Sequence, residues 1–144
     1  MTLSLPPEIA VALKNLLILD EGYQKFPKVT ADGKIKLGIG YDLTDRGISE
    51  AWINQQYEED VYYFHSRLIE DFDWFESLSD VRKLVLIDMC FMGYRKFLTF
   101  KRMLAALSSE DYRSAAREIL DSRFAALFPA RANRLAKIMS VDSL

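Results

Sequence analysis

The chain has 144 residues, of which 50% are hydrophobic and 28% charged, and its formal net charge is −2. These values are typical of one globular domain with a substantial core, and no apolar run reaches the roughly 18 residues needed to cross a bilayer. The N-terminus has no basic cluster followed by an apolar stretch, as a secretory signal would. We therefore expect synthesis in the cytoplasm, with release or delivery by another factor before any work outside.

Cysteine and histidine usage excludes several kinds of chemistry. Cys90 is the only cysteine and His65 the only histidine, so an intrachain disulfide is impossible and a zinc site is strongly disfavoured. Cys90 lies in an apolar helical stretch and is predicted to be a buried small hydrophobic residue. We expect no metal and no cofactor.

Charge is distributed unevenly along the chain. Residues 1–72 carry 7 basic and 12 acidic side chains, whereas residues 73–144 carry 12 basic and 9 acidic ones. A mixed solvated surface would explain this, and so would a C-terminal half that faces an anionic polymer. Nucleic acid usually requires a stronger basic patch, so we expect no nucleic-acid partner.

The N-terminal third contains a helix followed by a glycine-rich sheet. Apolar residues recur at helical spacing over residues 6–21, and Gly22 suits the helix end. Four of the six glycines then fall within fifteen residues, and apolar side chains alternate from Ile35 to Leu43. Asp32-Gly33 is a hairpin-turn signal. Residues 23–45 are therefore predicted to form a small antiparallel sheet of two or three strands.

Helical periodicity dominates from Ser49 onward. One apolar face of a long helix comprises Ile53, Tyr57, Val61, Phe64, Leu68 and Phe72. Ser79 is predicted to cap the next helix, and residues 97–107 are predicted to form one short helix. Ser108 and Asp111 have capping-box spacing, and Pro129 is predicted to open the last helix.

The predicted architecture is α+β and mostly helical. It is one domain over residues 1–144, with a small β-lobe at about 22–48 and a larger helical lobe at about 72–144. The helix of residues 6–21 is expected to pack with the helical lobe. A small lobe beside a larger one implies a cleft, which is the usual place for a ligand.

Glu21 is the most informative acidic residue. It ends the first predicted helix, where the helix dipole is negative, and it adjoins Asp20. Both effects disfavour the ionised form, and a carboxyl group that keeps its proton can act as a general acid. A surface glutamate at a helix end would have the same spacing.

The glycine-rich strand is the second candidate feature. Lys36, Gly38, Gly40 and Asp42 share the parity opposite to the apolar set, and two of these four have no side chain. A bare backbone between charged groups lets a sugar chain approach closely. Glycines that serve only tight turns would give the same pattern.

Taken in order, these motifs resemble the phage-type lysozymes and pesticin-like muramidases. The matching segments are Leu17-Ile18-Leu19-Asp20-Glu21-Gly22, Asp32-Gly33-Lys34-Ile35-Lys36-Leu37-Gly38-Ile39-Gly40-Tyr41, Leu43-Thr44, Ser122-Arg123-Phe124 and Phe128-Pro129-Ala130-Arg131-Ala132-Asn133-Arg134. The resemblance covers nearly the whole chain. It implies a lysozyme-like fold and hydrolysis of peptidoglycan glycan strands.

The resemblance implies roles for individual residues. Glu21 matches the general acid, and Arg131 matches an arginine that pairs with that glutamate. Thr30 occupies the position of the phage-type catalytic aspartate. Gly40-Tyr41-Asp42-Leu43 matches the pesticin-like motif, which makes Asp42 the expected water-activating carboxylate, with Asp32 as the fallback.

Other matched positions are expected to contact or position the substrate. Gly38, Gly40, Tyr41, Phe91 and Arg131 are the expected substrate-binding residues. Lys36 replaces a threonine that helps to position the catalytic water. An ammonium only donates hydrogen bonds, so Lys36 would hold Asp42 ionised, contact anionic groups of the substrate, or mark a weakened enzyme.

Two functions remain open at this point. The first is a monomeric, endolysin-like muramidase that acts on bacterial peptidoglycan. The second is a catalytically impaired module on the same fold that binds peptidoglycan or a partner protein, which is suggested by Thr30 and Lys36.

Overall fold

The computed structural model describes residues 4–144 as two compact units. The first ends at Gln55 and the second begins at Gln56. The first unit contains helix α1 (Pro7–Glu21), strands β1 (Gln24–Val29), β2 (Ile35–Gly38) and β3 (Tyr41–Asp42), and helix α2 (Leu43–Arg46). The predicted first helix is thus confirmed within one residue at each end, and the small sheet ends three residues before the predicted boundary, where α2 begins.

Helix α1 begins and ends as its sequence predicts. Pro7 is its first residue, where the missing N–H costs no hydrogen bond. Gly22 follows its last residue with φ +86°, and the Gly22 N–H donates to the Ile18 carbonyl oxygen. The positive φ directs the chain out of the helix immediately after Glu21.

The sheet is antiparallel in the order β1-β2-β3, with β2 in the centre. Lys36 on β2 faces Lys28 on β1 and Asp42 on β3 in the register. Gly38 and Gly40 have φ of +62° and +67°, and together they form the predicted bend between β2 and β3. The glycine pair therefore brings Asp42 back to lie opposite Lys36.

The rest of the chain is helical. Helix α3 (Glu50–Asp71) spans the boundary between the units and is the predicted long helix. A 3-10 helix (Phe75–Ser77) follows, and then α4 (Asp80–Cys90), α5 (Tyr94–Phe97), α6 (Lys101–Ser108), α7 (Tyr112–Leu120), α8 (Arg123–Leu127) and α9 (Pro129–Val141). Pro129 opens α9 as predicted, and the Ser79 hydroxyl accepts from the Arg82 N–H at 3.2 Å to cap α4.

Two details differ from the sequence predictions. Residues 97–107 do not form one helix, because α5 ends at Phe97 and α6 begins at Lys101. The Thr99 hydroxyl donates to the Lys96 carbonyl oxygen at 2.6 Å, and such local bonds compete with helix continuation. The capping box at Ser108 is also wrong, since Ser108 is the last residue of α6 and Asp111 alone caps α7.

The hydrophobic core belongs to the second unit. The largest fully buried side chains there include Phe75, Phe97, Leu86, Met103, Ile119 and Met139. Helix α7 packs against α6 and α9, and α4 and α8 also pack against α9. Cys90 is fully buried as predicted, and burial raises the pKa of its thiol to about 12, so it stays protonated and unreactive.

This arrangement is the predicted α+β, mostly helical, lysozyme-like class: a small N-terminal sheet, a long helix and a helical C-terminal part. No helix within residues 4–144 combines the length and apolar character that a membrane crossing requires. The packing of residues 6–21 against the helical lobe stays a prediction.

Candidate active site

The Glu21 side chain lies directly against the glycine bend. A Cβ atom added at Gly40 would come within 2.9 Å of the Cβ, Cγ and Oε2 atoms of Glu21. Gly40 also has φ +67°, which L-residues with a side chain rarely adopt. Only glycine fits this position, so the absence of a side chain at residue 40 makes room for the Glu21 carboxyl group.

Lys36 places a positive charge beside the Glu21 carboxyl group. Its Nζ atom lies 3.6 Å from Glu21 Oε2, and the two side chains are 31% and 45% exposed, respectively. Ion pairs this exposed contribute little to stability. Lys36 is also the cross-strand partner of Asp42. The ion pair and the β2–β3 pairing therefore place Lys36 next to both Glu21 and Asp42.

Asp42 is held from two sides. Its Oδ1 atom accepts a hydrogen bond from the Asp45 N–H at 3.0 Å and caps helix α2, and its Oδ2 atom lies 3.4 Å from Lys34 Nζ. The backbone hydrogen bond from Asp45, together with the charge of Lys34, lowers the pKa of Asp42 below its ordinary value. Asp42 is therefore an anchored carboxylate at neutral pH.

Lys34 was not singled out from the sequence. Its ammonium forms ion pairs with both Asp42 and Asp45. Hydrogen bonding to Asp45 and the charges of both aspartates raise the pKa of Lys34, so it stays protonated. The signal was present, because Lys34 and Lys36 are two residues apart and share one face of an extended chain.

Tyr41 organises the loop after β3. Its hydroxyl donates to the Gly47 carbonyl oxygen, and its ring packs edge-on against Trp52 with centroids 6.3 Å apart. The Arg46 guanidinium lies over the same ring at 4.4 Å from its centroid. These contacts give Tyr41 a local positioning role. Substrate binding by Tyr41, Gly38 and Gly40 stays a prediction.

The fallback carboxylate Asp32 belongs to the β1–β2 turn. The Thr30 hydroxyl hydrogen-bonds to Asp32 Oδ1 and also lies 3.1 Å from the Lys34 carbonyl oxygen. This hydroxyl is the main reason that the pKa of Asp32 is lowered. Gly33 completes the turn with φ +81°. Thr30, at the position of the phage-type aspartate, thus stabilises the hairpin.

The two remaining candidates, Phe91 and Arg131, lie in the helical unit. Phe91 is 44% exposed and packs its ring against Phe64 at 5.2 Å between centroids. Arg131 donates from Nε and Nη2 to Asp88 Oδ1 at 2.9 and 2.8 Å, and from Nη2 to the Asp88 carbonyl oxygen. The described ion-pair partner of Arg131 is therefore an aspartate of its own unit.

Arg131 also borders a cavity of about 870 Å³ that lies wholly within the helical unit. Aromatic side chains line it beside an excess of basic groups over acidic ones. The basic groups are Lys96, Lys101, Arg102, Arg123 and Arg131, and the acidic ones are Glu118 and Asp121. The cavity thus combines apolar surface with positive charge.

The described residues 4–144 contain no cluster of three or more histidine, cysteine or acidic side chains that could hold a metal ion.

Comparison with known proteins shows a similarity over part of the chain. The chain is 31% identical over 71 residues to a Dictyostelium discoideum protein named "Probable T4-type lysozyme 1". The match covers 49% of this chain and 42% of that protein, so the chain spans less than half the length of this relative. No family model matches the chain. The similarity is thus to a lysozyme-named protein and covers part of each chain.

Proposed function

We propose that the chain is a muramidase that hydrolyses the β-1,4 bond between N-acetylmuramic acid and N-acetylglucosamine in bacterial peptidoglycan. The observation that carries this proposal is the position of the Glu21 carboxyl group. It lies against the bare backbone of Gly40 and 3.6 Å from the ammonium of Lys36, whose cross-strand partner is Asp42. Glycosidases usually need two carboxyl groups in different roles. The similarity to a protein named as a T4-type lysozyme supports the same reaction class.

The proposed reaction divides the work among three residues. Glu21 donates its proton to the leaving glycosidic oxygen, and the Lys36 ammonium stabilises the carboxylate that remains. Asp42, already ionised, activates the attacking water or stabilises the positive charge that develops on the sugar. The glycines of the bend leave room for the sugar chain.

The helical unit supplies the attraction to the polymer in this proposal. The basic side chains around its cavity favour the anionic cell wall over neutral glycans. We place the site of action at the cell wall, which the chain reaches after release from, or delivery by, the cell that makes it. The active form in this proposal is a monomer without metal or cofactor.

Mass analysis of fragments released from purified peptidoglycan tests this function. Glu21→Gln should lower turnover about 100- to 10,000-fold, the usual contribution of a general acid. Glu8→Gln is the matched control, because it makes the same substitution at the exposed first turn of the same helix, and it should retain activity. Wild-type turnover by Glu21→Gln, with correct folding confirmed by circular dichroism, would exclude Glu21 as the acid.

A non-enzymatic glycan-binding module is the second candidate. It is favoured by the engagement of both Asp42 carboxylate oxygens and by the role of Thr30 in the turn. This candidate predicts that the protein sediments with peptidoglycan but releases no reducing ends. A time course of reducing ends beside a co-sedimentation assay separates the two functions, since turnover would eliminate the second.

A further inference from the structure

Two lysines of the N-terminal unit serve two different carboxylates. Lys36 Nζ lies 3.6 Å from Glu21 Oε2, whereas Lys34 Nζ lies 3.4 Å from Asp42 Oδ2 and also pairs with Asp45. Lys34 directly precedes β2 and Lys36 lies within it. The two lysines are therefore only two residues apart in the chain, but their ammonium groups pair with different acidic residues.

The register makes this division unexpected. Asp42 is the cross-strand partner of Lys36, and facing residues of an antiparallel pair have Cβ atoms about 4.5–5.5 Å apart. A four-carbon side chain easily spans such a distance, so Asp42 is within reach of Lys36. The Lys36 ammonium nevertheless contacts Glu21. The Oδ2 atom of Asp42 is already paired with Lys34, and its Oδ1 atom with the Asp45 N–H.

We propose that Lys34 is a positioning residue of the site: by pairing with Asp42, it anchors that carboxylate and leaves Lys36 available to Glu21. This inference rests on the proposed muramidase function, which requires the two carboxyl groups to play different roles. Lys34 does not touch the reacting atoms in this scheme. It acts through Asp42, and through Asp45 at the start of α2.

The surrounding charges are consistent with this role. The groups that face Asp42 are Lys34 ahead of β2, Lys36 on β2 and Asp45 on α2. Arg46 on α2 lies over the Tyr41 ring, next to Asp42 in the chain. Because Asp45 also pairs with Lys34, one ammonium links β2, β3 and α2. Removing Lys34 would leave Asp42 Oδ2 without its ion-pair partner.

The experiment compares Lys34→Met with Lys14→Met. Lys14 is an exposed lysine of α1, so its replacement removes the same charge from the same unit. Lys34→Met should lower kcat about tenfold, with little change in KM, and should move the acidic limb of the pH–rate profile to higher pH. Lys34→Arg should largely restore both, and Lys14→Met should resemble wild type.

A second measurement does not depend on turnover. In carboxyl carbon NMR titrations, Asp42 should take up its proton at a higher pH in Lys34→Met than in wild type, Lys34→Arg or Lys14→Met. An unchanged Asp42 titration would overturn the inference whether or not the protein is an enzyme. Turnover that Glu21→Gln abolishes but Lys34→Met leaves intact would overturn it while sparing the proposed function. Absence of wild-type turnover would refute the muramidase proposal, and with it the role of Lys34 in catalysis.

Discussion

The two units of this protein differ in the interactions within each of them. Every buried hydrophobic side chain among residues 4–144 lies between Leu68 and Met139, whereas no residue of the stretch 4–55 is buried. In the N-terminal unit, positive-φ glycines, turn hydrogen bonds and the ion pairs of Lys34 and Lys36 instead set the local geometry. The candidate catalytic residues thus lie where polar contacts, rather than packing, set the geometry. Stability and activity should therefore respond to different substitutions.

The largest expected effect is on the core of the helical unit. Leu86→Ala removes a fully buried side chain and should lower the free energy of unfolding by about 2–5 kcal/mol. Leu19→Ala, in the other unit, removes a leucine that is 80% exposed and should change it by less than about 0.5 kcal/mol. Urea denaturation measures both.

The two tryptophans make this comparison specific to each unit. Trp52 lies in the first unit and Trp74 in the second, so single-tryptophan variants report on one unit at a time. The Leu86→Ala loss should appear in the Trp74 signal. Equal losses of unfolding free energy in Leu86→Ala and Leu19→Ala would show that buried packing does not distinguish the two units.

The next effect concerns activity. Gly40→Ala would force Glu21 away from the bend, and misplacement of a reacting group by about 1 Å can cost about 100-fold in rate. Gly33→Ala is the matched control: Gly33 also has positive φ, at +81°, but an added Cβ would meet nothing within 4 Å. Turnover assays should show a large loss in Gly40→Ala only. Similar losses in both would mean that backbone strain, rather than Glu21, is responsible.

A smaller effect is expected for the ion pair of Arg131. A double-mutant cycle of Arg131→Met and Asp88→Asn should give a coupling energy of about 0.5–1 kcal/mol, because both groups are partly exposed. A coupling near zero would contradict the contact. A second cycle, of Arg131→Met with Glu21→Gln, tests the pairing that the family resemblance implies.

The smallest expected effect is on pH dependence. Asp42 caps α2 and Asp111 caps α7, one in each unit, and hydrogen bonds lower the pKa of both carboxyl groups. A lowered folded-state pKa stabilises the fold above the unfolded value, near pH 4, and this contribution is lost as the pH falls through the folded value. Unfolding curves between about pH 5 and 2 should be less pH-dependent in Asp42→Asn and Asp111→Asn. Slopes equal to wild type would exclude this linkage.

Sequence periodicity was sufficient for most of the fold. Apolar spacing predicted α1, α3 and α9, and glycine clustering predicted the sheet, because helical periodicity and turn glycines can be read from the sequence of each element alone. The break between α5 and α6 escaped prediction, since it accompanies a local hydrogen bond from the Thr99 hydroxyl to the Lys96 carbonyl oxygen. Asp111 rather than Ser108 caps α7 because α6 continues through Ser108.

The sequence suggested candidate residues for the site, whose roles stay a prediction, but it did not indicate how their side chains pair. Glu21, Lys36 and Asp42 were identified from helix-end position, strand parity and family motif. The choice between acidic partners for each lysine was not predictable, because Lys34 and Lys36 are only two residues apart and Asp42 and Asp45 only three. Only three-dimensional placement assigns Lys36 to Glu21 and Lys34 to Asp42.

Burial of the single cysteine has a practical consequence. Cys90 is sealed among the core side chains of the helical unit, so an alkylating reagent can reach it only when that unit opens. The rate of Cys90 alkylation therefore measures how often the helical unit opens, at a position far along the chain from Glu21. A cysteine introduced on the surface can likewise be tagged with a fluorophore or spin label while the native thiol remains silent.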